Sequence, residues 1–124
     1  MEFHSAKRLS DEGQHKVALV DIDETICYYE DPNNRRYNLS IPIQENIDKI
    51  NKLYDEGHYI VYLTARGMGR FGNSRMLSHK TFYNFTYDQL RSWNCKFHEL
   101  HLGKPAGDYY IDDKGVNSDD FFKT

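Results

Sequence analysis

The sequence predicts an α/β domain, a single Rossmann-like three-layer unit with a mainly parallel sheet. Three observations point there. Short apolar runs recur at 17–21, 59–63 and 97–102. Segments with apolar residues at helical spacing separate them, and turn-forming or acidic residues follow their carboxyl ends. Strands alternating with helices argue for parallel pairing, and right-handed crossovers then bring all the strand ends to one face.

Residues 1–16 read as a polar lead-in with room for a short helical turn, and 17–124 as the domain. The first strand, 17–21, has the continuous apolar character of a buried parallel strand. A polar loop over 28–40 contains Asp31, Pro32, Asn33 and Asn34, which is strong turn chemistry. A helix is expected over 42–56, with Pro42 at its first position and Ile43, Ile47, Ile50, Leu53 and Tyr54 on one stripe. Gly57 ends it. The second strand, 59–63, closes at Thr64, and a Gly- and Arg-rich loop follows over 65–79. A helix over 81–93 should pack Phe82, Phe85, Leu90 and Trp93. Strands at 97–102 and 108–111 complete the sheet, the last followed by Asp112 and Asp113, and Phe121 and Phe122 are left to seal an edge of the core.

A chain of 124 residues forms one domain, and its 39% hydrophobic and 28% charged content places it among soluble globular proteins. Net charge of −3 gives no support to a general nucleic-acid binder. Two cysteines without metal-type spacing read as reduced thiols. The amino terminus lacks the apolar core of a signal peptide, and no stretch approaches the ~20 apolar residues of a membrane span. These features predict a soluble, cytoplasmic protein without a membrane partner.

Asp21 and Asp23, with the hydroxyl of Thr25, sit at the carboxyl end of the first strand, where open α/β sheets bind ligands. Two acids there must repel each other or share a cation. That suits metal-assisted phosphoryl transfer, one Asp as nucleophile and the other as proton carrier. A solvated turn is the plainer alternative. Thr64 can donate to a phosphate oxygen or serve as an ordinary cap or turn residue. Lys104, restrained toward an extended conformation by Pro105, would neutralise a phosphate and keep the nucleophile ionised; a surface lysine is its other reading. Adjacent strand residues point opposite ways, so one of Asp112 and Asp113 would bind a cation while the other holds a water or Lys104. Hard oxygen ligands favour Mg²⁺ over zinc.

This set resembles the haloacid dehalogenase superfamily of phosphotransferases. Asp21 to Thr25 matches its first motif, Leu63 and Thr64 the second, Lys104 the third, and Asp112 with Asp113 the fourth. Residues 63–68, 103–105 and 110–114 look most like small phosphatases of capsule and surface-polysaccharide synthesis. The resemblance implies that Asp21 attacks phosphorus and that Asp23 protonates the leaving oxygen, then activates water. It implies Mg²⁺ on the Asp21 carboxylate, the Asp23 carbonyl and an acid of the last pair, with Asp113 favoured. Thr64, Ala65, Arg66 and Lys104 would bind the phosphate end of the substrate. Asp23 itself speaks against the dehalogenase branch, which lacks that acid.

The implied activity is hydrolysis of a small phosphate ester, a sugar phosphate or similar metabolite. A nucleotide or nucleic-acid-end phosphatase and a non-catalytic phospho-ligand domain are the alternatives. The gaps 26–43 and 65–103 leave no room for a cap, so the site should be open to a bulky substrate or closed by a neighbouring subunit of a homo-oligomer. Cations of the 66–80 loop, Arg66 foremost, could steer an anion. Arg35, Arg36 and Tyr37 could form the opposite wall. His98 and His101 lack zinc-protease spacing and should line a strand. Cys27 reads as a small buried side chain, and Asp119 and Asp120 as a solvated tail.

Overall fold

The structure, a computed structural model, describes residues 16–123. Its elements in chain order are β1 (Val17–Val20), β2 (Cys27–Tyr28), a single 3₁₀ turn (Tyr37–Leu39), β3 (Ile41–Pro42), α1 (Gln44–Asp55), β4 (Tyr59–Thr64), α2 (Arg75–Ser92), β5 (Glu99–Leu102) and α3 (Ser118–Phe122). Three strands form a parallel sheet in the order β1-β4-β5, with Val20 beside Tyr62 and Tyr62 beside Leu100. The expected α/β class with parallel pairing is what the chain adopts. The lead-in over 1–15 lies outside the described residues.

Strand alternation sorts the sheet into two faces. Ala18, Val20, Ile60, Tyr62, Leu100 and Leu102 share one face and one apolar cluster with Ile47 and Ile50 of α1 and with Leu90 of α2. Both connections step the same way across the sheet, so right-handed crossovers set both long helices on that face. Both long helices therefore cover this face of the sheet. Val17, Leu19, Val61 and Leu63 lie on the opposite face.

Three boundaries depart from the sequence reading. Pro42 is not the first residue of α1 but pairs in β3 with Cys27 of β2, and Ile43 caps the helix while its N–H bonds to Ile26 O at 2.8 Å. α2 begins at Arg75 rather than near 81, because the Ser74 side chain accepts from Leu77 N–H and satisfies its amino end. In that helix Phe85 stays exposed, and Thr86 takes an inward position. β5 starts at Glu99 because the His98 ring is stacked on Tyr54 and Tyr59 and accepts from Ile60 N–H at 3.0 Å.

The largest departure is at 108–111, where no strand forms. Residues 103–107 are too few for a parallel crossover, which needs about a dozen. Gly103 makes the turn that leaves β5, with φ of 101° and no room for a Cβ, which would stand 2.8 Å from Arg75 Cγ. Beyond it the chain passes the carboxyl ends of the strands without regular structure until α3, where Phe122 packs on the core and its carbonyl accepts from Lys49 Nζ. Among the described residues no helix is long and apolar enough to cross a membrane.

Ile47 joins α1 to the sheet with no solvent contact. Ile47→Ala is expected to cost about 2–5 kcal/mol of stability, measured by urea unfolding. An unchanged midpoint would contradict the packing of α1 on this face.

Candidate active site

β1 and β4 end side by side, and their last residues open into a cleft of about 270 Å³ lined by Asp21, Asp23, Tyr29, Arg35, Tyr37, Thr64, Ala65 and Arg66. Asp21 follows β1 directly. One of its carboxylate oxygens accepts from Ile22 N–H at 2.9 Å, and the other faces Lys104 Nζ at 3.5 Å. Burial pushes its pKa up, and the Asp23 charge adds to that, against the pull of Lys104 and the Ile22 N–H. Lys104 reaches it because its own N–H bonds to Thr64 O at the end of β4, and its ammonium lies over the Tyr110 ring.

Thr64 is buried, and its hydroxyl oxygen accepts from Arg66 N–H at 3.1 Å. It therefore serves as the turn residue that the plainer reading suggested. The hydroxyl hydrogen remains able to donate toward the cleft.

Asp23 is held differently. Arg66, 1% exposed, grips both of its carboxylate oxygens, Nε to one and Nη2 to the other, each at 3.0 Å. Tyr29 donates to the same carboxylate at 2.6 Å, and the Cys27 thiol lies against it at 3.4 Å. Burial alone would raise the Asp23 pKa, but the bonds and charge of Arg66, with Tyr29 and Cys27, overcome it and hold the carboxyl below its usual range. The third guanidinium nitrogen donates to Gln89 at 2.7 Å and to Thr86 at 3.4 Å, and the guanidinium also lies over the Tyr37 ring. Gln89 in turn donates to Tyr37 O and Ser40 Oγ, and Tyr37 Oη accepts from Gly67 N–H. One network thus joins the first loop, the loop after β4 and α2.

Sequence reasoning found Asp21, Asp23, Thr64, Ala65, Arg66 and Lys104, and the structure brings them together. Arg66 lines the cleft as expected, but its guanidinium is bound to Asp23, Gln89 and Thr86 rather than reaching for a ligand. Tyr37 and Arg35 do form the opposite wall, with Arg35 paired to Glu24 and lying over the Tyr29 ring. Asp112 and Asp113 do not join the group. With no strand before them they lie exposed in a turn, Asp112 accepting from the N–H groups of Lys114 and Gly115, which lower its pKa. No three His, Cys, Asp or Glu residues among those described gather as a metal cluster.

Tyr29, Thr86 and Gln89 were missed. Thr86 and Gln89 had a signal: they fall on the α2 stripe between Phe82 and Leu90, where a polar residue needs a buried partner. Cys27 is buried, with its thiol pushed up to about 12 by desolvation and the Asp23 charge, so it is no nucleophile.

No family model matches this chain, and no curated protein does. A solved structure of a structural-genomics target from Vibrio cholerae is similar to it, with a TM-score of 0.78 at 24% identity, over 88% of this chain and 89% of that one. At that identity the likeness establishes the fold, and the site rests on its own geometry.

Breaking a buried, hydrogen-bonded pair from one side leaves an uncompensated charge. Arg66→Met is expected to cost about 3–5 kcal/mol in urea unfolding, and adding Asp23→Leu should recover part of it. A loss within error of zero would mean that the pair is not formed. The Asp23 carboxyl, depressed in the folded state, contributes stability that is full above the unfolded pKa and lost as pH falls below about 4. Asp21 is shifted the other way, so its ionised form disfavours the fold at neutral pH. In metal-free protein, Asp21→Asn should raise the unfolding midpoint at pH 7, and Asp23→Asn should lower it and flatten the acid limb. Unfolding curves between pH 3 and 7 decide both signs.

Proposed function

We propose that this chain hydrolyses phosphate monoesters of small, sugar-sized metabolites through a covalent phosphate on Asp21. The supporting observation is the pairing of Asp21 with Lys104 at 3.5 Å beside Thr64 and Ala65, in a cleft of about 270 Å³. A carboxylate meets an anionic phosphate poorly on its own, and an ammonium between them neutralises the approach. Lys104 would take the phosphate oxygens together with the Thr64 hydroxyl.

In the first step an Asp21 oxygen bonds to phosphorus, the ester P–O bond breaks, and the leaving oxygen keeps the electron pair and takes a proton from solvent water. Water then attacks phosphorus, its proton passes to a base, and inorganic phosphate leaves with Asp21 restored. Asp23, ionised and oriented by Arg66 and Tyr29, suits the base of this second step. As proton donor in the first step it would have to be released from Arg66.

The cation implied by the sequence reading does not fit one chain as it stands. Of the ligands that reading implied, Asp21 and Asp23 line the cleft, but the third, an acid of the 112–113 pair, lies outside it, Asp112 being held by the N–H groups of Lys114 and Gly115. No step above is drawn through Mg²⁺.

The test is phosphate release from sugar phosphates, nucleotides and 3′-phosphorylated oligonucleotides, with Mg²⁺ and with chelator. Asp21→Asn should abolish turnover while the fold stays intact, and Lys104→Met should lower kcat/KM by ~10²–10³-fold. Undiminished release by Asp21→Asn would overturn the mechanism.

A further inference from the structure

β1 ends the sheet on its outer side. Among the described residues it pairs with β4 alone, and Leu19 stands 55% exposed beside that edge. The same chain displays Tyr109, Tyr110 and Ile111 at 83%, 56% and 93% exposure, strand-forming residues with no strand to form. An open edge and an unpaired strand segment in one molecule invite pairing between molecules.

The chain cannot join the two within itself. Lys104 is fixed at the carboxyl end of β4 by its bond to Thr64 O. A parallel neighbour for β1 would have to begin at the opposite end of β1, on its far side. Residues 103–107 cannot supply that crossover. A second copy meets no such limit.

We propose that residues 108–112 of one copy add as a parallel strand to the outer edge of β1 in a second copy, and reciprocally, so that each cleft receives Asp112 and Asp113 from the other chain. Placing Tyr109 beside Val17 sets Asp108 opposite Lys16, a pair of opposite charges, and Ile111 beside exposed Leu19 on one face. The same register carries Asp112 and Asp113 to the level of Val20 and Asp21. A tyrosine buries ~150–250 Å², so two exchanged segments bury roughly 1,000 Å² before the edges they cover are counted, within reach of a stable interface. α3 lines one pocket with Glu24 and Thr25, just beyond β1, and its Phe122 carbonyl accepts from Lys49 Nζ, so the partner's α3 can make the contacts that each chain's own α3 makes here. The exchange stands on geometry alone. The role of the two acids in the cleft rests on the proposed hydrolase reading.

Light scattering on the full chain should give twice the chain mass, and Tyr109→Lys with Ile111→Lys, both at exposed positions, should give a folded monomer. Leu19→Cys with Ile111→Cys should form a disulfide between chains, since neighbouring strands bring Cα atoms within bonding range. Refolding Asp21→Asn together with a chain carrying Asp112→Asn and Asp113→Asn, each inactive alone, should restore roughly a quarter of wild-type turnover, because half of the dimers hold one intact site of two. A monomeric wild type overturns the exchange, as does a dimer without the 19–111 disulfide, the result expected if residues 1–15 or another surface cover β1. A cross-linked dimer inactive on every ester supports the exchange and overturns the hydrolase reading. Activity without complementation in a cross-linked dimer overturns the shared site.

Discussion

Arg66 has no solvent to turn to, and its neighbours follow from that. A guanidinium removed from water must find partners for its N–H groups, or the burial costs several kcal/mol. Here the partners are the two oxygens of Asp23, with Gln89 and Thr86 from α2. Asp23 stands after β1, Arg66 after β4, and Gln89 on the helix laid across the sheet. Satisfying one side chain therefore fixes three elements relative to one another. Tyr37 extends the arrangement to the first loop, where its ring covers the guanidinium and its hydroxyl holds Gly67. The cleft is the space left beside this cluster.

The two acids after β1 come out with opposite characters for the same reason. Asp23 faces a full positive charge at bonding distance and is held ionised. Asp21 meets one lysine at 3.5 Å and one backbone N–H, and burial dominates. Two residues apart in sequence, they are thus shifted in opposite directions by their surroundings.

What the sequence made legible was local. An apolar run ending in Asp21 and Asp23, a second ending in Thr64, and Lys104 locked ahead of Pro105 each carry their meaning within a few residues. Tertiary pairing was not legible in that way. Nothing around Arg66 distinguishes a buried guanidinium from a solvated one, because its partners lie far along the chain. Pro42 shows a local rule overruled: it suits the first position of a helix, but the hairpin with Cys27 claims it first. At 108–111 the local signal for a strand is sound, and what fails is reach, since no neighbour lies within the span of the link before it.

The buried thiols give the molecule a further property. Cys27 rests against the carboxylate of Asp23, Cys95 lies in the core cluster just after α2, and desolvation pushes both thiols up to about 12. Neither can react with an alkylating reagent at neutral pH until the surrounding structure opens and the thiolate meets water. Each cysteine therefore acts as a clock for its own neighbourhood: the labelling rate at Cys27 times the opening of the cleft, and that at Cys95 the opening of the core cluster around it. A molecule whose two clocks run at different rates opens in parts, and one whose clocks agree opens as a whole.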